Sequence, residues 1–552
     1  MDERGGRPPA PTSVRRTRPG ESRTQPVRAD EELTGLELVR GAKVGSQHYR
    51  WRRTTSPFKR VGRGQYEVGG DHLKPRSGWA RFKSRVKHVL IGMPLATESL
   101  AHERLSKVKA LAVFSSDAIS SSAYATEEIL LALVLAGASA NTDALPIAMA
   151  IAALLGVVVF SYRQTIKAYP KGGGSYIVAK ENLGVLPSLT AGSALMVDYI
   201  LTVAVSIAAG TAALIAAVPE IEGARVEIAI GLVALMTVAN LRGIRESGSI
   251  FAAPTYLFIL TFGGMIVTGI VKLALGSFDG ASFTHSAPPR EAIEATQGLT
   301  VFLILRAFAS GATALTGVEA ISDGVPAFKP DEPRNASITL LWMAGILASL
   351  FVGVTLLTVR LGILPSEGET VVSQVGKTVL GDNPLYYLLQ ATTAMILVLA
   401  ANTAFADFPR LASFISRDRY LPHQLSFRGE RLAFSNGIIL LGTFAVILLI
   451  IFRGDTHRLI PLYAVGVFLS FTISQSGMVM RWRRLKTAGW RRSMIINAIG
   501  ATATGIVLVI VAATKFTHGA WLVLVVLPIM IMLFKRTHAH YANVAAELEL
   551  AP

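Results

Sequence analysis

The sequence predicts an all-α membrane protein with about twelve transmembrane helices, arranged as two inverted five-helix repeats and two further helices. Three observations predict this class. Half of the 552 residues are apolar, and they form runs of about 20 residues, the length that crosses a hydrocarbon core of roughly 30 Å. Basic residues concentrate in alternate connections between the runs. Small, polar and acidic residues interrupt the first and sixth runs, which indicates inverted repeats with a binding site where both helices break.

The charge distribution favours a membrane protein over a nucleic-acid-binding protein. The formal charge is +17, yet residues 1–107 alone contain 23 Lys plus Arg and 11 Asp plus Glu, so the remaining residues carry only +5. Basic residues in a tail and in short connections are explained by membrane topology. The absence of cysteine excludes disulfides, thiolate metal sites and cysteine nucleophiles.

The composition predicts four regions along the chain. We expect residues 1–77 to be a basic, disordered cytoplasmic N-terminal tail, since Pro, Gly, Ser and Arg bury too little apolar surface to fold. Residues 78–105 mix apolar and basic positions, as an amphipathic juxtamembrane segment does. Residues 106–535 form the transmembrane domain, with repeats at about 106–275 and 298–481 and two extra helices at 493–535. Residues 536–552 are a short cytoplasmic C-terminal tail.

Twelve apolar segments, numbered 1 to 12 below, account for the transmembrane domain. An even number of segments with a cytoplasmic N-terminus requires basic inner connections. The connection after segment 2 contains Lys167, Lys171 and Lys180, whereas residues 138–143, after segment 1, contain no basic residue. We therefore expect a multi-pass protein of the cell membrane with both termini cytoplasmic. The predicted segments are 106–137, 144–167, 187–216, 225–243, 249–275, 298–325, 336–361, 384–412, 434–452, 459–481, 493–514 and 517–535.

Polar side chains at bilayer depth indicate the candidate site. Inserting a charged side chain at that depth costs about 2.5 to 3.5 kcal/mol on insertion scales, so such a residue is expected to have a function. Segment 1 carries Asp117 among five serines, followed by Tyr124, and serines favour local unwinding. Segment 6 carries Thr316 and Glu319 in a run interrupted by glycines.

Segments 3 and 10 supply further oxygen atoms. Asp198, Thr202 and Ser206 recur at steps of four, about 6 Å apart along one helix face, and Tyr199 follows Asp198. Tyr463 lies near the outer end of segment 10. Carboxylates, hydroxyls and phenols with no basic residue at the same depth suit a desolvated cation that prefers hard oxygen ligands.

These motifs carry a resemblance to a known superfamily. The run Tyr-Pro-Lys-Gly-Gly-Gly-Ser-Tyr at 169–176 resembles the inner-loop signature of the amino acid, polyamine and organocation (APC) transporters, whose fold is the LeuT-like five-plus-five inverted repeat. The runs 115–121 with Tyr124, 198–199 and 315–322 are similar to those of KimA-type potassium/proton symporters. The similarity extends from about Lys87 to Tyr541.

The resemblance implies a transporter of potassium and protons, with no cofactor and no enzymatic activity. It places nine residues on the potassium pathway, and Glu319 is also the candidate proton carrier. A carboxyl group suits coupling, because desolvation favours its neutral form and a bound cation favours its charged form. The nine residues are Asp117, Tyr124, Asp198, Tyr199, Thr202, Ser206, Thr316, Glu319 and Tyr463.

Several alternatives remain open at this stage. KimA-type symporters carry a cytosolic C-terminal domain that supports dimerisation and responds to cyclic di-AMP. Only 17 residues follow Lys535 in this sequence, so we do not transfer either property to this chain. A homodimer remains an open alternative. A proton-coupled amino acid or polyamine permease shares the scaffold, and a membrane-embedded enzyme or a sensor are further classes. Asp117 could be a helix cap, Glu319 a structural partner, and Tyr463 part of an interfacial aromatic belt.

Overall fold

The computed structural model of the chain describes residues 36–40, 49–53, 58–62, 65–68, 78–79, 82, 104–172, 174–243, 248–278, 295–366, 369–429 and 434–548. In this part of the chain, eleven helices are long and apolar enough to cross a membrane, and the shorter apolar helix Ser435–Ile451 coincides with predicted segment 9. The predicted all-α, multi-pass membrane protein is confirmed.

The helices follow the order of the predicted segments, with short helical pieces within segments 1 and 6 and two short helices between segments. Their bounds are Lys107–Phe114, Ser116–Ser120, Ala125–Leu133, Ala144–Ala168, Gly174–Asn182, Val185–Ala217, Arg225–Leu241, Gly248–Ala274, Val301–Gly311, Val318–Asp323, Glu332–Leu361, Val371–Leu380, Pro384–Arg417, Ser435–Ile451, Thr456–Leu485, Trp490–Lys515 and Ala520–Glu547. We call Gly174–Asn182 the loop helix and Val371–Leu380 the outer helix.

The two ends of the chain differ from their predictions. Two antiparallel hairpins lie within the region expected to be disordered: Leu36–Arg40 pairs with Tyr49–Arg53, and Phe58–Gly62 with Gln65–Val68. Apolar and polar residues alternate along the first pair, which favours strands, although the overall composition is that of a tail. The last helix continues to Glu547, past the predicted end at 535, since this stretch contains good helix formers. Most of the predicted juxtamembrane segment lies outside the described residues.

Segments 1 and 6 are joined through their backbones at both ends. On the side that the sequence predicts to be cytoplasmic, called the inner side below, Leu105 donates to the Ala327 carbonyl (2.7 Å) and accepts from the Lys329 amide (3.0 Å). On the outer side, the amides of Thr296 and Gln297 donate to the Leu135 carbonyl at 3.0 and 2.9 Å. Because both ends are fixed, the middles of the two segments lie side by side.

Burial separates a core of segments from a periphery. In the most apolar stretch of segments 3, 8 and 10, 72 to 78% of the residues are buried, whereas the value is 28% for segment 11 and 22% for segment 12. Segment 3 packs against segments 8 and 10, and the outer half of segment 6 packs along segment 1. Segments 4 and 5 are also only 28% buried, so the periphery includes segments 4, 5, 11 and 12, and burial does not by itself separate the two extra helices from the predicted repeats.

Candidate transport site

Segment 1 is a succession of short helical pieces around Asp117. The helix Lys107–Phe114 ends at Ser115, Ser116–Ser120 follows, and a 3₁₀ turn at Ser121–Ala123 leads to Tyr124 and the helix Ala125–Leu133. The hydroxyls of Ser120 and Ser121 donate to the Asp117 carbonyl at 2.8 and 3.2 Å. Serine hydroxyls compete for backbone carbonyls in this way, which explains why the pieces are short.

Segment 6 is interrupted more sharply. Its first helix, Val301–Gly311, is followed by a 3₁₀ turn that leads to Thr316, which is extended (φ −61°, ψ 157°). Gly317 then adopts a left-handed conformation (φ 78°, ψ −8°) before the helix Val318–Asp323 begins. Only glycine adopts this conformation without a steric cost, so Gly317 is the point at which the chain changes direction.

The two interruptions are in direct contact. A Cβ atom on Gly317 would lie 2.7 Å from Asp117 Oδ2 and 2.8 Å from the Ala118 amide nitrogen, distances that no real side chain occupies. Beside this contact, Ser121 Oγ lies 3.0 Å from the Tyr124 hydroxyl and 3.4 Å from Thr316 Oγ1. Because residue 317 has no side chain, Asp117 and the hydroxyls of segment 1 can contact the interruption in segment 6.

A small cavity opens at this contact, and acids line it. Asp117, Asp198 and Glu319 are all buried, with side-chain exposures of 5, 8 and 5%. Within the described part of the chain, Asp198 Oδ1 is buried and has no hydrogen-bond partner. Among the described residues that line the cavity, none is basic; they are Asp117, Leu195, Asp198, Tyr199, Gly317, Glu319, Ala320, Thr403, Asp407, Val467 and Phe471.

Thr202 connects the stripe of segment 3 to segment 10. Its hydroxyl lies 2.9 Å from the Asp198 carbonyl and 3.1 Å from the Tyr463 hydroxyl. Tyr463 is 1% exposed, so it lies inside the protein rather than in an interfacial belt. Ser206 is buried one turn further along, and the hydrogen bonds of the described residues do not join it to this group. The structure therefore brings together eight of the nine predicted residues.

Comparison with known proteins agrees with this architecture. A sequence profile of the amino acid permease family matches residues 105–534, which is more than three quarters of the chain. The chain belongs to the amino acid permease family. It is a membrane transporter and not an enzyme, and the predicted APC resemblance is confirmed.

One curated relative of this permease is the potassium transporter KimA of Bacillus subtilis (strain 168). The two sequences are 49% identical over 466 residues, which cover 84% of this chain and 76% of the relative. Among solved structures, a crystal structure of the Eremococcus coleocola manganese transporter matches with a TM-score of 0.41 and 12% identity, covering 81% of this chain and 95% of that one. A crystal structure of a mutant of the same manganese transporter matches with a TM-score of 0.42 and 13% identity, covering 78% and 94%.

On the outer side of the permease cavity, three elements meet at a group of charges that the sequence analysis did not include. Glu128 Oε1 lies 2.7 Å from His457 Nδ1, at the start of segment 10. Glu127 Oε2 accepts a hydrogen bond from the Val371 amide of the outer helix at 3.2 Å. Tyr124 lines a second pocket beside Glu127 and His457. Tyr124 thus lies between the central cavity and the outer charges.

On the inner side, a second polar group lies beneath the cavity. The Tyr199 hydroxyl donates to Asp323 Oδ2 at 3.1 Å, and Arg410 donates to the Asp323 carbonyl (3.1 Å) and to Asp407 Oδ1 (3.2 Å). A smaller pocket lined by Asp323, Asp407 and Arg410 adjoins the central cavity through Leu195 and Asp407. Tyr199 therefore touches both the cavity and its inner neighbour.

The loop helix closes against the inner ends of two segments. Tyr176 donates to Asp418 Oδ2 at 2.7 Å, and Lys180 forms an ion pair with the same carboxylate at 2.6 Å. Burial raises the pKa of Tyr176, and the hydrogen bond to Asp418 raises it further. The phenol therefore stays a hydrogen-bond donor at any physiological pH. At segment 10, Arg484 bonds the Glu181 carbonyl and the Asn182 side chain.

Asp407 and Thr403 of segment 8 were missed by the sequence analysis. A signal was present, since an aspartate in an apolar segment is costly unless it is paired or functional. Ser175 and Ser470, which bond Glu319, carry no comparable signal, because lone serines in membrane helices usually bond their own backbone.

We predict that Gly317→Ala damages the contact between the two interruptions. A side chain there must adopt a left-handed backbone, which costs about 1 to 2 kcal/mol, and its Cβ meets Asp117 and the Ala118 backbone. Thermal unfolding of the purified protein in detergent should show a lower midpoint. Gly345→Ala is the matched control, since open space surrounds that position. Equal midpoints for Gly317→Ala and the unmodified chain would contradict the prediction.

We also predict that Thr202→Val lowers the stability of the protein modestly. The substitution removes the contact with the Tyr463 hydroxyl, and polar contacts between membrane helices average about 0.6 kcal/mol. The midpoint of thermal unfolding in detergent should fall slightly. Thr211→Val on the same helix is the control, because among the described residues Thr211 bonds only its own backbone. A similar change in both variants would show that Thr202 has no special role.

Proposed function

We propose that this permease is a secondary active transporter that imports potassium ions together with protons by alternating access. The observation that carries the proposal is the central cavity, where buried carboxylates converge and the described lining contains no basic residue. Its 49% identity to a protein named as a potassium transporter supports the same substrate. A fixed negative lining stabilises a dehydrated cation and repels an anion.

Potassium would bind between the interruptions and segment 3. Asp117 and Asp198 supply carboxylate oxygens, and Asp198 Oδ1 is buried without a hydrogen-bond partner among the described residues. Leaving a charged oxygen unsatisfied is costly, so a cation at this position would remove the cost. The hydroxyls of Tyr124, Thr316 and Tyr463 lie at the edges of the same group and would replace water of hydration.

Glu319 fits the proton better than the metal ion. Both of its carboxylate oxygens already accept hydrogen bonds from Ser175 and Ser470, so its lone pairs are engaged by donors. Asp198, by contrast, presents a bare oxygen. Two carboxyl groups in one cavity with such different partners are suited to different tasks.

Transport would proceed by opening one side at a time. The Glu128 and His457 contact and the Glu127 contact with the outer helix close the outer side, and the loop helix with Asp418 closes the inner side. Breaking one set while keeping the other would alternate access to the cavity. The basic residues in the connections predicted to be inner support a cell-membrane protein with both termini in the cytoplasm.

The competing amino acid permease is not favoured by the charge of the site. A polyamine is a cation that this charge would attract, and the 49% identity to a potassium transporter favours potassium over it. An amino acid carboxylate is usually held by free backbone amides at a helix interruption, but here the Asp117 carboxylate lies against the interruption of segment 6. A fixed negative charge at that point would repel a substrate carboxylate.

We predict that proteoliposomes containing this chain accumulate rubidium, a potassium analogue, faster with an inward proton gradient than without it. Asp117→Asn should reduce rubidium affinity by about tenfold or more, because a hydrogen bond or contact with a charged group contributes about 1.5 to 3 kcal/mol. Glu319→Gln should abolish the response to the gradient, because it keeps the shape of the side chain and removes its titration.

The control is Glu227→Gln, which neutralises an exposed acid at the start of segment 4 and should leave uptake unchanged. Lack of rubidium uptake by folded protein would rule out potassium transport. Uptake with no response to the gradient in the unmodified chain would rule out proton coupling.

A further inference from the structure

Glu319 forms hydrogen bonds with two serine side chains from two other elements, and the Tyr162 phenol lies beside the same group. Ser175 of the loop helix donates to Glu319 Oε1 through its amide (2.7 Å) and its hydroxyl (2.6 Å). Ser470 of segment 10 lies 2.9 Å from Glu319 Oε2 and 2.8 Å from Ser175 Oγ. All three side chains are buried, with exposures of 5% or less.

The single hydrogen of the Ser470 hydroxyl cannot serve both of its neighbours at once. When Glu319 is charged, that hydrogen is best directed to Oε2, because hydrogen bonds to a carboxylate are about twice as strong as neutral ones. The charged carboxylate then accepts three hydrogen bonds: two from Ser175 and one from Ser470.

When Glu319 is neutral, the same atoms form a different set of bonds. A proton on Oε2 is donated to Ser470 Oγ, the Ser470 hydroxyl turns to donate to Ser175 Oγ, and Ser175 continues to donate to Oε1. The group gains one proton and one hydrogen bond and changes its charge from −1 to 0. Within the set of Glu319, Ser175 and Ser470, every donor has an acceptor in both states, which is the condition for burying a polar network at low cost.

We infer that Ser470 and Ser175 are the positioning residues for proton coupling: with Glu319 they form a hydrogen-bonded ring that accommodates the transported proton by turning the Ser470 hydroxyl. The inference rests on the proposed proton coupling and adds the groups that make it chemically feasible. Ser470 is the essential member, since it alone changes from donor to acceptor toward Glu319.

Other titratable groups face Glu319 and must be separated from it in any test. They are Tyr162 of segment 2, Asp198 and Tyr199 of segment 3, Asp323 on the same helix, and Asp407 of segment 8, which lines the same cavity. Because these groups are acids and phenols, a pH response alone does not identify Glu319. A signal that disappears in Glu319→Gln does.

The first measurement is the pH profile of proton-stimulated rubidium uptake in proteoliposomes. Ser470→Ala removes the charge-assisted hydrogen bond to Oε2 of the charged carboxylate, which is about twice as strong as each neutral bond that the protonated form loses, and the Tyr162 hydroxyl remains as a hydrogen-bond partner for the neutral carboxyl group. We expect the half-maximal point to move to higher pH by about one unit, which means a tenfold lower proton concentration is required. Ser470→Thr keeps the hydroxyl and should restore the original profile.

The matched control is Thr472→Val on the same helix, whose hydroxyl bonds the Phe468 carbonyl and Thr504 and is not part of the ring. Its pH profile should coincide with that of the unmodified chain. A Ser470→Ala profile that also coincides, or that moves to lower pH, would overturn the inference while leaving proton coupling itself intact.

A second measurement does not depend on transport. Infrared difference spectra of the purified protein should contain a protonated-carboxyl band that disappears in Glu319→Gln, and the titration of this band should move to higher pH in Ser470→Ala. If the band titrates in this way but rubidium uptake does not respond to the proton gradient, the hydrogen-bonded ring is supported and the proposed proton coupling is wrong. If no band depends on Glu319, the ring fails whatever uptake shows.

Discussion

The contact between the interruptions of segments 1 and 6 is the constraint on which the rest of the site depends. Two polar, locally irregular stretches are tolerated at bilayer depth only where protein, rather than lipid, surrounds them. Gly317 permits the approach, because it lacks the side chain that would collide with Asp117. The backbone bonds at Leu105 and Leu135 hold the segments at both ends, so the irregular stretches coincide in depth. Asp198 of segment 3 and Asp407 of segment 8 line the cavity that this contact forms.

The sequence was sufficient for the fold class and for the acids at the centre. Asp117, Asp198 and Glu319 stand out because the local cost of a charge in an apolar run is visible without any structure. The spacing of Thr202 from Asp198 likewise follows from helix geometry. The contact between Thr202 and Tyr463, however, results from the packing of segment 3 on segment 10. The two residues are 261 positions apart in the sequence, and local periodicity does not predict such a contact.

Two kinds of feature could not be predicted in this way. Ser175 and Ser470 acquire their importance only from long-range contacts with Glu319, and an isolated serine carries no local cost that would identify it. The hairpins in residues 36–68 are the opposite case, since an alternating pattern was present. The prediction of disorder for that region followed the average composition of 77 residues, and this average hides alternating patterns that are only five residues long.

Four buried carboxylates in one cavity, those of Asp117, Asp198, Glu319 and Asp407, would repel each other if all were charged and unpaired. Their surroundings are unequal: Asp198 presents an oxygen without a described donor, Arg410 donates to Asp407, and Glu319 accepts hydrogen bonds from Ser175 and Ser470. A cation near Asp117 and Asp198 and a proton on Glu319 each reduce the negative charge that the others experience, so each weakens the binding of the other through the shared field of the cavity. The described lining contains four acids and no base, and this excess of negative charge lets the cavity hold both species at once, which cotransport requires.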